Sequence, residues 1–447
     1  MTPIPRVSRK QERGTILIIV LWVSLGLVTI TLLFGHSMML NFRSADNHLA
    51  SLQAEQAVEA GIRYAGYVLA NVEVPGEMPE EDTYARQMVP VGDAAFWFLS
   101  HSGETGTRRQ RVFALNDEAG KLNLNTATTE MLEGLPGMTA ELAAAIVDWR
   151  DEDDELTEGG AESQYYQFLD PSYACKNAPF ESVEELRLVA GMSATLLYGE
   201  DANRNGLLDA NENDGNTSWP PDDQDGVLDE GIINYLTVYS SEPNTDPDGG
   251  TRINVTSGQQ ELATLLQDTF GDDRAQEIQQ SLSGGQTVNS VLEFYSRSGM
   301  TAEEFAEIDD YLTASDDNPV EGLINVNTAS EAVLACLPGM DEQKAESIVS
   351  TRRGTNTQLD SLAWVADLLD TETIRSVGPL LTSHCYQVTA DVVAVGRKGR
   401  GYQRTIAVLD VSGETPQIIY REDLSGQGWS LGLDTLQQLT DLVATQR

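Results

Sequence analysis

Residues 201–212, DANRNGLLDANE, carry oxygen donors at the spacing of a twelve-residue EF-hand loop. Asp201, Asn203 and Asn205 stand at its first, third and fifth positions. Leu207 offers a backbone carbonyl at the seventh, Asp209 fills the ninth, and Glu212 supplies a two-oxygen carboxylate at the twelfth. Gly206 permits the sharp turn between them. Hard oxygens with no Cys or His nearby select Ca2+ over zinc. The exit, from Asn213 through Trp219, Pro220 and Pro221, cannot run on as a regular helix, so a structural site is expected rather than half of a paired sensor. A second candidate, Asp223, Asp225, Asp229 and Glu230 around Gly226, lacks the first and twelfth ligands, where Pro221 and Ile232 stand. Asp246-Pro247-Asp248-Gly249 is a weaker candidate still, and a plain turn is the favoured reading there. Ten acids and a single arginine between 200 and 230 repel one another unless a cation is present. One Ca2+ is therefore expected and a second is a candidate; the bland alternative is an empty acidic turn.

Other chemistry has no comparable signature. His36, His48, His101 and His384 are scattered, and no G-x-S-x-G, H-E-x-x-H or P-loop occurs. Carboxylates are too many for one pair to stand out as acid and base. The chain is expected not to be an enzyme. Its 447 residues suffice for two or three domains. With 70 acidic against 28 basic residues the net charge is −42, which repels nucleic acid and attracts cations. Cys175, Cys336 and Cys385 leave three disulfide pairings open, beside the reading that all are small buried residues.

An internal repeat runs through the middle of the chain. KLNLNTA at 121–127 leads to Leu135-Pro136-Gly137-Met138, then to Ile146 and Arg150. LINVNTA at 323–329 leads at the same offset to Leu337-Pro338-Gly339-Met340, Ile348 and Arg352. A weaker copy starts at Arg252, with Gln267-Asp268 in place of Pro-Gly. The three copies, 121–152, 252–280 and 323–353, read as helix-hairpin-helix units. Thr328 with Glu331, and Ser257 with Gln260, have capping-box spacing. Such units bind DNA when a Gly-x-Gly corner brings backbone N–H groups to a phosphate. Here Thr139 and Asp341 replace the second glycine, and Asp148, Asp151, Glu152, Asp153 and Asp154 follow the first hairpin. Packing units are expected instead.

These features need a scaffold. Thr15 to Phe34 holds no charge and no proline, and as a helix it is roughly 30 Å long, about a bilayer core. Arg6, Arg9, Lys10 and Arg13 precede it, so the short N-terminus should stay in the cytoplasm and the body should face outward. Val58, Ile62, Ala65 and Leu69 continue the helical spacing beyond the membrane. Strands are expected at 94–101 and 108–116, then only from Tyr386, at 402–410 and 417–420; 431–442 looks helical. The fold class is α+β: a long N-terminal transmembrane helix (15–70) packed on an antiparallel sheet, with a large inserted, mainly α-helical domain. The sheet would come from 71–120 and 386–447, and the insertion from 121–385, with acidic loops at 200–250.

The leader carries a further signal. Arg13-Gly14 followed at once by the apolar run from Thr15 resembles type IV pilin-like proteins, which a prepilin peptidase cuts after the glycine. Most of them have a glutamate at the fifth mature position; here it is Ile19. Among the pseudopilins of type II secretion, the K-type minor pseudopilin lacks that glutamate. DWRDED at 148–153, GAESQYY at 160–166, Asn177 and EELR at 184–187 are similar, in order, to that family's DWxDxD, GAE..YY and N…EL stretches. The resemblance covers most of 13–200 and returns at 323–420. It implies a leader of residues 1–14 cut between Gly14 and Thr15, a pilin-like domain, and calcium binding. It also implies a place at the pseudopilus tip with the I- and J-type minor pseudopilins. Further implied partners are the major pseudopilin, the inner-membrane assembly platform and the prepilin peptidase, but no nucleic acid. The implied location is the inner membrane, in a single pass, with the body in the periplasm. The stretch 199–250 is longer than the family leads one to expect. Two rival readings remain, a membrane-anchored DNA receptor of the competence type and a calcium-dependent surface adhesin.

Overall fold

The computed structural model describes residues 12–100, 113–284, 287–354, 359–432, 435 and 437–439. One helix, α1 (Glu12–Leu69), is 58 residues long, about 87 Å at 1.5 Å per residue. It has two environments. From Ile16 to Phe42 its large apolar side chains are exposed, and the helix is long and apolar enough to cross a membrane. From Ala50 onward one stripe is buried: Ala50, Ala54, Ala57, Val58, Ile62, Ala65 and Leu69. The small residues let the helix lie close to the sheet. At Gly61 a Cβ would stand 2.6 Å from Val392 Cγ1, so any side chain there would push the two apart.

The sheet beneath α1 is antiparallel and is assembled from two distant stretches of chain. Its order is β1 (Val89–Val91), β2 (Ala94–Leu99), β3 (Gln387–Gly396), β4 (Arg400–Asp410) and β5 (Gln417–Asp423), with Asn116–Asp117 also paired to β3. Phe98 sits opposite Val392, which joins the two stretches. Every residue of β3 is buried. Val388, Ala390, Val392 and Ala394 pack with the α1 stripe. Val393 and Val395 pack on the other face with Trp97, Leu99 and Leu431. A second strand was expected over 108–116. Residues 108–112 lie outside the described residues, and 113–115 form no strand; only Asn116–Asp117 pairs. Half of the helix expected at 431–442 lies outside the described residues as well.

Between the two stretches sits a mainly helical body with one continuous core. Two of its units match closely: α2 (Thr129–Glu133) with α3 (Ala140–Arg150), and α5 (Glu331–Ala335) with α6 (Glu342–Arg352). Between them lies α4 (Gln259–Leu282), interrupted at Gly271, where φ is 80°. The third copy thus turns at Gly271 and not at Gln267-Asp268; its first helix is longer, and glycine still supplies the left-handed corner. Each unit is closed by a short parallel pair: Leu122-Asn123 with Leu236-Thr237, Ile253-Asn254 with Leu312-Thr313, and Ile324-Asn325 with Leu381-Thr382. In each, the asparagine Oδ1 accepts the N–H two residues on, at 2.9, 2.9 and 3.0 Å. The caps differ from the sequence expectation. Ser330, not Thr328, caps α5, because Thr328 donates to Asp117 Oδ2 at 2.5 Å. Gly258 precedes α4 with no side-chain cap, so Ser257 and Gln260 form no capping box.

Candidate functional site

The 201–212 loop follows a one-turn helix, Ala194–Tyr198, and leads into a turn of 3-10 helix, Ala210–Glu212. Asp201 accepts the N–H groups of Asn205 and Gly206 on its two oxygens, at 2.9 and 2.8 Å. Asn203 and Asn205 receive the N–H groups of Asn205 and Leu207. Both amides donate to Asp209 Oδ2, at 2.8 and 2.9 Å. Glu212 closes the loop by accepting the Asp209 N–H at 2.9 Å through one oxygen. Its other oxygen, Oε1, is buried with no hydrogen-bond partner, and the residue is 1% exposed. Burial first, then the charges of Asp201, Asp209 and Glu200, push the Glu212 carboxyl up to about 7. The five side chains named from sequence are thus brought into one loop, and one buried oxygen in it has no partner.

The loop is docked on the sheet by two arginines that sequence reasoning did not single out. Arg204, inside the loop at φ 54°, pairs with Glu184 at 2.7 Å and with Glu422 of β5 at 2.9 Å. Arg404 of β4, 1% exposed, grips Asp391 of β3 through Nε at 3.0 Å and Nη2 at 2.6 Å. Its remaining nitrogen, Nη1, donates to the Arg204 carbonyl and to Ser430 Oγ. A lone arginine in an exposed-looking strand carries no local signal. The one clue was Asp391 inside an otherwise apolar run, since a carboxylate buried there needs a cationic partner.

The second acidic segment is arranged differently. Asp223, Asp225 and Asp229 are exposed, and each accepts a backbone N–H two residues on. Glu230 accepts from Asn234 at 2.8 Å. The carboxylate that faces this segment is Glu200, 8% exposed, which accepts from Asp223 N and Asp229 N.

The repeat corners are filled from within the fold. Gly137 and Gly339 have φ of 72° and 78°. Pro136 and Pro338 precede them, and Leu135 and Leu337 are buried. Thr139 and Asp341, which stand where a second glycine would be, cap α3 and α6 by accepting from Leu142 N and Lys344 N. A Cβ on Gly137 would meet Leu196 Cδ1 at 2.9 Å. The Gly339 carbonyl accepts from Lys344 Nζ at 2.8 Å. Arg150 and Arg352 point inward and donate to the carbonyls of Leu124 and Ala127, and of Val326 and Ala329. Cys175, Cys336 and Cys385 are all free and buried.

A buried charge cluster joins the body's repeats near the start of β3. His384 bonds Asp310 at 2.9 Å and lies 3.2 Å from Glu242, which also pairs with Arg252. Burial alone would lower the His384 pKa, but Glu242 and Asp310 outweigh it and raise it to about 10. A histidine with a raised folded value contributes stability that is full below about 6.5, its unfolded value, and is lost as pH rises through about 10. Thermal melts between pH 6.5 and 10 should therefore show falling stability, and His384→Gln should flatten that slope. An unchanged slope in the variant would assign the effect to other groups.

Comparison with known proteins adds three findings. Residues 113–198 and 324–381 both match the family described as type II secretion system (T2SS), protein K. Type II secretion system protein K of Klebsiella pneumoniae is 42% identical over 71 residues, which cover 15% of this chain and 22% of that relative. The chain therefore spans about a fifth of that curated relative's length. The GspK-GspI-GspJ complex of the enterotoxigenic Escherichia coli type 2 secretion system contains a chain similar over 86% of this one and 99% of its own length, at 12% identity and a TM-score of 0.41.

Proposed function

We infer that the chain is a K-type minor pseudopilin of a type II secretion system, the family to which both matched segments belong. The observation that carries this reading is where the segments fall. Both lie mainly in the helical body that interrupts the sheet packed on α1, and the exposed half of that helix can span a membrane. The proposed site of action is the periplasmic face of the inner membrane, with a single pass before assembly and the pseudopilus tip after it. Ile19, apolar where most relatives of this kind carry a glutamate, suits a subunit with none above it. Capture of the chain co-expressed with the I- and J-type pseudopilins from its own genome should recover both; recovery of neither would remove the reading.

Prepilin peptidase is proposed to cut between Gly14 and Thr15. Intact-mass analysis of the membrane-extracted chain should give a mature protein that begins at Thr15. A chain starting at Met1 or near His36 would contradict it.

The helix–corner–helix pairs are read as helix-hairpin-helix repeats used for packing. Supporting this, their corners are occupied by Leu196 and by the Lys344 side chain, and their arginines serve internal carbonyls. With −42 of net charge around them, duplex DNA should not bind at physiological salt. A gel shift showing micromolar, salt-sensitive affinity would promote the rival receptor.

For the 201–212 loop we propose Ca2+. The donor set is hard oxygen throughout, and Glu212 Oε1 is a buried acceptor that a cation would satisfy. Asp201, Asn203, Asn205, Asp209 and Glu212 would hold it with the Leu207 carbonyl, and a bound ion would fix a loop that Arg204 and Arg404 tie to the sheet. The segment Asp223, Asp225, Asp229 and Glu230 is a weaker second candidate, since its carboxylates already serve local turns.

A further inference from the structure

We propose that the turn between β3 and β4 is a seat for anionic phospholipid headgroups of the membrane that α1 enters; this rests on α1 being a membrane-spanning helix. The turn reads Gly396-Arg397-Lys398-Gly399-Arg400-Gly401, in a chain that holds 70 acidic residues against 28 basic ones.

The fold puts this turn at the end of the sheet nearest the membrane. Along α1, Gly66 faces Leu409 and Gly61 faces Val392, while the turn lies lower, against Ala50. A Cβ on Gly396 or on Gly401 would collide with the Ala50 carbonyl group, so glycine is what lets the turn rest on the helix backbone. Gln403 Nε2 donates to Ser51 Oγ at 3.2 Å, and Arg400 pairs with Asp46 Oδ2 at 2.8 Å. Below that point the helix is bare. The exposed apolar run from Ile16 to Phe42 is roughly 40 Å long, about the thickness of a bilayer with its headgroup layers. Arg43, exposed, is the first charged residue after the run, and Asp46 follows one turn later. With the run in the bilayer, Arg43 and the turn stand at the outer headgroup phosphates.

Charge decides what sits there. Arg43, Arg397, Lys398 and Arg400 face two acids, Asp46 and Asp93 of the β1–β2 turn, which the Ala95–Val395 pairing brings to the same end. Asp46 is already shared, since Arg400 holds one oxygen and Arg397 stands 3.9 Å from the other. One carboxylate between two guanidiniums leaves positive charge over, and these arginine side chains keep 31% and 47% of their surface open. Guanidinium groups bind phosphate through paired N–H donors. Each cation near an anionic surface strengthens attachment about fivefold. The chain as a whole, at −42, is repelled by such a surface, whereas this end is drawn to it. An acidic neighbouring protein would also suit the cations, but the bilayer is what continuity with α1 brings to their level.

The test is hydrogen exchange of the full chain in nanodiscs of phosphatidylcholine, with and without phosphatidylglycerol. Exchange confines the readout to the turn, whereas lipid counting would also register Arg6, Arg9, Lys10 and Arg13 at the other end of the apolar run. Amides of 396–402 should exchange several-fold more slowly in the anionic discs at low salt. The difference should vanish near about 0.5 M salt, where charges are screened within about 4 Å. Arg397→Gln with Lys398→Gln should abolish it while Arg400 still holds Asp46, and unchanged exchange of β3 shows that this variant folds. Asp93→Asn should enlarge it. Equal exchange in the two lipids, or slowing that survives the double variant or high salt, overturns the proposal. So does slowing that appears only when the I- and J-type pseudopilins are added, which would give the turn to a protein partner. Flotation with neutral vesicles at alkaline pH tests the anchor separately. A chain left behind removes the spanning helix and the seat with it; a chain that floats without lipid-dependent exchange loses the seat alone.

Discussion

Replacing Arg404 with alanine should destabilise the protein by about 3–5 kcal/mol, the usual cost of stranding a buried charge. Asp391 is 0% exposed, and the guanidinium bonds both of its carboxylate oxygens. Removing the arginine leaves a carboxylate in the centre of the sheet, between the α1 face and the acidic loop. It also takes the donor from the Arg204 carbonyl, so the 201–212 loop should loosen with it. Denaturant unfolding of the extracted chain measures the loss, and hydrogen exchange locates it. The double change Arg404→Met with Asp391→Leu should recover most of the stability, since it removes both charges and keeps apolar volume. A single variant as stable as the parent would mean that water reaches Asp391 and that the clamp holds nothing.

Calcium removal should be the second large effect. An ion that binds only the folded chain stabilises it by about 2.7 kcal/mol at a hundredfold excess over Kd. Chelator should lower Tm, and Ca2+ should restore it better than Mg2+ because the loop offers Asp201, Asp209 and Glu212 as ligands in irregular geometry. Glu212→Gln should remove the part of the response that belongs to this loop. It keeps the side chain's size and deletes the charge whose second oxygen is buried without a partner. Identical melts with chelator, with Ca2+ and in the variant would make the loop an empty acidic turn.

Much of the architecture was legible because it rests on long or repeated signals. The apolar run from Thr15, the stripe through Leu69 and the duplicated Leu-Pro-Gly-Met corners each follow from periodicity or an unchanged offset. What escaped is short or depends on distant partners. The closing pairs at Leu236-Thr237, Leu312-Thr313 and Leu381-Thr382 are two residues long, below any periodic window; their shared Leu-Thr was the available clue. Thr328 had good capping spacing, but the tertiary bond to Asp117 took its hydroxyl, and Ser330 capped instead. In the candidate site the ligand spacing of 201–212 was plain, whereas Arg404 lies some two hundred residues away in sequence and no local pattern connects the two. Glu200, just ahead of the first loop, turns toward the second, which only the fold could reveal.

The function proposed above places this chain at the end of a pseudopilus and not in its shaft. Electron microscopy of pseudopili assembled with the chain present, using gold-labelled antibody raised against the helical body, tests it most directly. One label per filament, at one end, is expected. Label spaced along the shaft, or filaments that never carry it, would rule out the tip position.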